Sequence, residues 1–283
     1  MEVSREIYDG FNELFNLTLL SQAYESAGKY GQARSVLIEA LSKAKDRENK
    51  FFIGRLLNTL RWFHNEFGNV SRPLELDQES MELGRTYRIS NVEISALINL
   101  GLNYSAQNQH ERELLYVEST LERIKHEAFG AHRWRWMVRT LIGLAELHYR
   151  AGMYEEALRF VEEGIPEAQA TTSQKYMTKG WGLRGKILEQ LENTEVTGIE
   201  LERAFTLAGQ LSSPMLSYPL AYDLGKWCEK VRKEREALDL YSKAKALVEN
   251  IATTVKDQNL QSKFLQLKQV QEIKIRTHKD KNP

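Results

Sequence analysis

The sequence predicts an all-α fold: an α-solenoid of six stacked helix hairpins, with a period of about 40 residues and a C-terminal capping helix, in a single superhelical domain over 1–283. Three observations predict it. A turn signature recurs at near-constant spacing, and two positions of small side chain keep register with it. Only five prolines interrupt 283 residues that are 42% hydrophobic and 28% charged, the balance of an ordinary folded chain.

The stretches YESAGKY, HNEFGNV, YSAQNQH, HYRAGMY, LEQLENT and CEKVRKE align to place one turn position at Gly28, Gly68, Asn108, Gly152, Glu192 and Arg232, spaced by 40, 40, 44, 40 and 40. Glycine suits such a turn because it enters left-handed backbone geometry without a Cβ clash, and asparagine is tolerated next best. Glu192 and Arg232 fit less well, and Asn193 is the candidate for the special conformation in repeat five. Eight residues before the turn stand Leu20, Leu60, Leu100, Leu144, Arg184 and Leu224; eleven before it stand Leu17, Leu57, Leu97, Leu141, Trp181 and Ala221. Next to the first set come Ser21, Arg61, Gly101, Ala145, Gly185 and Gly225, small enough for a close helix crossing except at Arg61. The twelfth residue after the turn is Ala40, Ser80, Thr120, Gly164, Ala204 or Ala244, small in all six repeats.

Each unit therefore reads as helix A, a short turn and helix B. The predicted pairs are 6–27 with 30–46, 50–67 with 70–86, 91–107 with 110–127, 133–151 with 153–169, 174–191 with 194–210, and 215–231 with 233–250. After Thr254, Leu260, Phe264, Leu267 and Val270 recur at three- and four-residue steps, which predicts one amphipathic helix over 255–276. Such a helix covers the last apolar face of a solenoid and turns a polar side to water. The end, THKDKNP, is expected to fray.

The fragments LGLNYSAQNQH (100–110), LAELHYRAGMYEEALRFVEEG (144–164) and LGKWCEKVRKEREALDLYSKA (224–244) resemble the tetratricopeptide repeat (TPR) pattern. The likeness extends over nearly the whole chain but departs in period, since the usual unit is about 34 residues. The longer unit is similar to the superhelical arrays of bacterial signalling ATPases and MalT-like transcription regulators. That resemblance implies that A helices line a concave groove and B helices the convex side. The groove would then be lined by Arg55, Asn58, Trp62 and Asn65 of repeat two, Asn99 of repeat three, and Arg139, Glu146 and Tyr149 of repeat four. Lys179 and Lys186 of repeat five and Tyr222, Asp223 and Lys226 of repeat six complete it. Amides there can bond a peptide backbone, cations a carboxylate, and aromatic rings an apolar side chain. The family's carboxylate clamp does not carry over, because its asparagine and lysine spacing is not reproduced.

Composition narrows the function further. Thirty-nine basic residues balance 39 acidic ones, so no global field draws in nucleic acid or anionic lipid. Cys228 is the single cysteine, the start lacks a signal-peptide pattern, and no run of about 18 apolar residues exists, which together predict a cytoplasmic chain outside the membrane. The three N-x-[ST] matches at Asn16, Asn69 and Asn103 are then coincidental.

No catalytic residue, metal or cofactor is predicted. The stretch Gly180-Trp-Gly-Leu-Arg-Gly185-Lys186-Ile187 imitates a phosphate loop, but it lacks the Ser or Thr and falls inside a predicted helix rather than between strand and helix. The six histidines, at 64, 110, 126, 132, 148 and 278, show no H-E-x-x-H spacing; His64, His148 and Cys228 fall where other repeats place Tyr24 and Tyr104, a packing position. His132-Arg-Trp-Arg-Trp136 could stack on bases or pair with an acidic peptide, or its tryptophans could fill the joint widened by the insertion between repeats three and four. The predicted function is a protein-interaction module that binds a peptide or partner helix in the concave groove, as the sensor or scaffold segment of a bacterial signalling protein. The alternative is an architectural scaffold that self-assembles into oligomers.

Overall fold

The computed structural model describes residues 2–69, 71–104, 110–126 and 133–278. Among them are fourteen helices and no strand. Six hairpins run as α1 (Glu2–Ser26) with α2 (Tyr30–Asp46), α3 (Lys50–Glu66) with α4 (Ser71–Thr86), and α5 (Ser90–Tyr104) with α6 (His110–His126). Then come α7 (Arg133–Arg150) with α8 (Tyr154–Ala170), α9 (Gln174–Gln190) with α10 (Thr194–Gln210), and α11 (Pro214–Lys230) with α12 (Glu234–Thr254). None of the described helices is long and apolar enough to cross a membrane.

The predicted pairs reappear with shifts of a few residues, and two features differ. First, the tail is two helices, α13 (Gln258–Leu265) and α14 (Lys268–His278), not one over 255–276. Asp257 caps α13 by accepting from the Asn259 and Leu260 amides at 3.0 and 3.1 Å, and the chain breaks at Gln266 and Leu267 so that each half follows a different neighbour. Second, the left-handed residue of repeat five is Glu192 (φ 60°), while Asn193 opens α10 with its side chain accepting from the Val196 amide.

The turns share one construction. Gly28, Gly68, Gly152, Glu192 and Arg232 all have φ between 60° and 78°; Asn108 lies outside the described residues. The joints from one hairpin to the next repeat the same geometry at Glu48, Arg88, Thr172 and Ser212. The amide that follows reaches back over the helix end, as in Lys29 N–H to Tyr24 O at 2.8 Å, Asn193 to Leu188 at 2.9 Å and Lys233 to Cys228 at 2.8 Å. Carbonyls that the helix end would leave unpaired are thereby satisfied.

All twelve small-residue register positions are buried. A methyl on Gly225 would stand 2.7 Å from the Tyr241 ring, and one on Gly185 2.9 Å from Leu201. The exception, Arg61, is 4% exposed and is held by Asp77 of the facing helix, with Nε to Oδ2 at 3.1 Å, and by the Asn99 carbonyl at 3.2 Å. A buried guanidinium is tolerable only with such partners.

The array curves until its ends meet. One apolar cluster contains Tyr30 and Ala33 of α2, Phe63 and Phe67 at the end of the second A helix, Tyr218 and Tyr222 of α11, and Leu260 and Phe264 of α13. Tyr30 packs on Phe67 with ring centroids 5.4 Å apart, and Tyr218 meets Phe264 at 5.8 Å. Around this cluster Arg34 pairs with Asp257 at 3.1 Å, and Lys263 donates to the Asn69 side chain at 2.9 Å. Helix α14 packs on α12 and buries Val270 and Ile273.

Candidate functional site

Successive A helices touch one another, α3 with α5, α5 with α7, α7 with α9 and α9 with α11, while each B helix packs chiefly on its flanking A helices. The A helices thus form the inner layer, and one residue stripe of each faces the axis. Because the repeats keep register, equivalent stripe positions form rungs: Arg55, Ser95, Arg139 and Lys179 on one, Trp62, Leu102, Glu146, Lys186 and Lys226 on another. This layer holds the polar and charged side chains that the sequence reading assigned to the groove.

The thirteen residues do not share one environment. Asn99 is fully buried, donates to Asn58 Oδ1 at 2.8 Å and accepts from the Arg139 guanidinium. Asn58 in turn donates to Ser80 Oγ at 2.9 Å. These amides form a ladder that locks α3, α4, α5 and α7 together, and so their hydrogen-bonding capacity is used within the protein. Tyr222 is only 4% exposed because α14 folds over it, and its hydroxyl donates to Glu272. Asn58, Asn99 and Tyr222 thus support the inner face from behind.

The others are reachable. Trp62 is half-buried, with the Lys175 ammonium 4.3 Å from its ring centroid. Lys175 also pairs with Glu25 at 3.4 Å and Lys179 with Glu66 at 3.9 Å, so repeat five touches repeats one and two across the axis. Lys186 lies 3.9 Å from Asp223 and 5.2 Å from the Tyr149 ring centroid. Burial pushes the carboxyls of Glu25 and Asp223 above their usual range. Burial also acts on Glu146, but Arg150, Lys179 and Lys186 together hold it below that range. Asn65 and Lys226 are exposed, and Arg55 and Arg139 are half-buried.

Sequence reasoning missed Glu25, Glu66 and Lys175, and held Arg135 in the His132–Trp136 motif rather than in the groove. Lys175 and Arg135 stand one helical turn before Lys179 and Arg139 and could have been added by extending each stripe. Glu25 shares the register position of Asn65 and Tyr149, three residues before the turn, and could have been added from it; Glu66 carries no such signal, because it meets repeat five only through closure of the array.

The remaining motifs are accounted for by packing. His148 is buried and stacks on Phe160 at 5.1 Å, His64 is buried against Asn69, and Cys228 lies in the core, where burial raises its thiol. Gly180 to Lys186 lie inside α9, where a methyl on Gly182 would come within 2.5 Å of Leu220. In the His132–Trp136 stretch, Arg133 donates to the Ile124 and Lys125 carbonyls at 2.8 and 3.1 Å, closing the end of α6. Trp136 is 7% exposed and bonds Ser95 Oγ at 3.2 Å; His132 lies outside the described residues. Among the described residues, no group of three or more His, Cys, Asp or Glu could hold a metal.

The family described as Tetratricopeptide repeat matches residues 17–51, the second half of α1, all of α2 and the start of α3. No curated protein matches the chain by sequence. Among solved structures, a Rap protein complexed with Competence and Sporulation Factor aligns with 11% identity and a TM-score of 0.65, over 95% of this chain and 77% of that one. PlcR from Bacillus thuringiensis, in complex with the peptide PapR7 and DNA, aligns with 14% identity and a TM-score of 0.63, over 82% of each chain. BtubC from P. vanneervenii aligns with 13% identity and a TM-score of 0.53, over 76% of this chain and 93% of that one. At these identities the likeness is one of fold.

Proposed function

From the premise that this chain is a tetratricopeptide-type helical repeat protein, we propose that it is a protein-interaction module that takes an extended peptide along the inner face of its A helices. The carrying observation is the register-matched row of reachable polar and aromatic side chains there, Trp62, Tyr149, Lys179 and Lys186 foremost, backed by the Asn58–Asn99–Arg139 ladder. Two solved proteins of this fold hold a factor or a peptide, which supports the same reading. Because each inter-repeat joint is a small packed hinge, a ligand that bridges several A helices selects one curvature. A sensor segment of a signalling protein would report occupancy in that way.

The test is capture from a random heptapeptide library, followed by titration of the retained peptides. Replacing Trp62, Lys179 and Lys186 together by alanine is expected to weaken capture at least about tenfold, as loss of central anchors does. Unchanged capture by a variant that keeps its helical circular dichroism contradicts the reading.

End-to-end self-association is the second reading, favoured by the face of α1. Phe11, Phe15, Leu19 and Leu20 are 45%, 38%, 44% and 42% exposed there, and the two phenylalanine rings stack 6.4 Å apart. Light scattering decides it: a monomer at every concentration ends this reading.

A further inference from the structure

The inner face is divided in its electrostatics. In repeats five and six every inner lysine that is half-buried has a carboxylate beside it: Glu25 for Lys175, Glu66 for Lys179 and Asp223 for Lys186. In repeats two to four the pattern changes. Arg61 is matched by Asp77, but Arg55, Arg135 and Arg139 have no carboxylate within 4 Å among the described residues. Arg139 bonds the neutral Asn99 side chain and acts on the Asp77 carboxylate only at longer range, and the Arg135 guanidinium lies 5.2 Å from the Trp134 ring centroid. Arg55 of α3 is half-buried and feels the charge of Arg135 on α7 across the curve of the array; burial and that neighbour both work against its protonated form.

A half-buried cation that feels a second one, with a third one turn along the same helix, opposes folding unless something offsets the charge. The Asn58–Asn99 ladder, which meets Arg139, fixes α3, α5 and α7 in the arrangement that holds these cations.

We infer that Arg55, Arg135 and Arg139 form a carboxylate subsite on the inner face of repeats two to four, which receives acidic side chains of the bound peptide. This rests on the inner face being the peptide site and adds the chemistry of its ligand. Planar guanidinium groups grip carboxylates through paired charge-assisted hydrogen bonds. Three cations over two helices exceed what one terminal carboxylate would neutralise, so the ligand supplies Asp or Glu side chains. The sequence places Arg55 and Arg139 in the groove and Arg135 in a separate aromatic motif; on α7 Arg135 stands one helical turn from Arg139, and its charge reaches Arg55.

The experiment compares heptapeptide libraries that carry two fixed central Glu residues with libraries carrying Gln there, each with a free or an amidated C-terminus. Retention by the full chain is read by mass spectrometry. The wild type is expected to enrich the Glu libraries about tenfold over the Gln libraries, whatever the C-terminus, in keeping with charge-assisted bonds. Arg135→Gln, whose side chain is exposed and carries little of the packing, is expected to cut that enrichment, and the triple change of Arg55, Arg135 and Arg139 to Gln to abolish it. Enrichment is read as each variant's own ratio of Glu to Gln retention, so a uniform loss of capture does not imitate loss of the subsite.

Equal retention of Glu and Gln peptides by the wild type overturns the subsite while leaving inner-face binding intact. So does enrichment that survives the triple change, or one that follows the free C-terminus instead of the Glu pair. Absence of any retained peptide overturns both the subsite and the reading beneath it.

Discussion

Phe67, at the end of the second A helix, and Phe264, in α13, pack with ring centroids 5.6 Å apart, joining the second hairpin to the C-terminal tail. Both are fully buried. A tail that only covered the sixth hairpin would make no such contact. Here it also seals the first two, so the apolar cluster of α13 is shared by both ends of the array.

Phe264→Ala is therefore expected to cost about 3–5 kcal/mol, the range for deleting a fully buried phenylalanine. The effect should reach both ends: hydrogen exchange should quicken in α2 and α3 as well as in α11. Denaturant unfolding supplies the magnitude and exchange the distribution. Quickening confined to α11–α14 would mean that the ends are not coupled.

The Arg61–Asp77 pair leads to a second expectation. Asp77→Ala leaves a buried guanidinium without its carboxylate, and such a loss costs about 3–5 kcal/mol. Arg61→Ala together with Asp77→Ala should recover much of it, because alanine satisfies the small-residue rule that the other repeats obey at this position. A double-mutant cycle measures the coupling.

Stability against pH provides a third. Burial raises Asp77 from 3.8 to about 6 in spite of Arg61, whereas burial, with Arg34 and Arg72 nearby, lowers His64 from 6.5 to about 4. Between these limits the folded chain keeps a proton on Asp77 that the unfolded chain releases, so this group's contribution to stability falls as pH rises. His64 acts in reverse: the unfolded chain holds a proton that the folded chain lacks, so its contribution rises with pH. Relative to wild type, Asp77→Asn should tilt stability upward between pH 4 and 6, and His64→Gln should tilt it downward. Urea midpoints across that range, compared as slopes, check both signs.

The turns allow a fourth. A side chain in left-handed geometry costs about 1 kcal/mol or more. Arg232→Gly should thus stabilise the chain by up to about 1 kcal/mol. Gly152→Ala should destabilise it by a similar amount, with no steric contribution, since nothing lies within 4 Å of the added methyl. Thermal melts of the two variants should move in opposite directions.

Much of this architecture was legible because the repeat writes it several times. The leucines before each turn and the small residues at Ala40, Ser80, Thr120, Gly164, Ala204 and Ala244 place helices and crossings without long-range information. The left-handed turns at Glu48, Arg88, Thr172 and Ser212 were not legible, because backbone hydrogen bonds impose the geometry there on residues with no intrinsic preference for it. Closure was also hidden. It accumulates from a small rotation at every joint, and no local pattern reveals that Phe264 will reach Phe67. The inner face was half legible for the same reason: register put Asn99 and Tyr222 on it, but only the assembled curve and the folded-back α14 make them supports.

Hydrogen exchange of the full chain, with and without a peptide selected from the heptapeptide library, tests the central claim most directly. The account predicts added protection in the A helices α3, α5, α7 and α9, with the convex B helices unchanged. Protection confined to B helices, or to the Phe11–Leu20 face of α1, would contradict it.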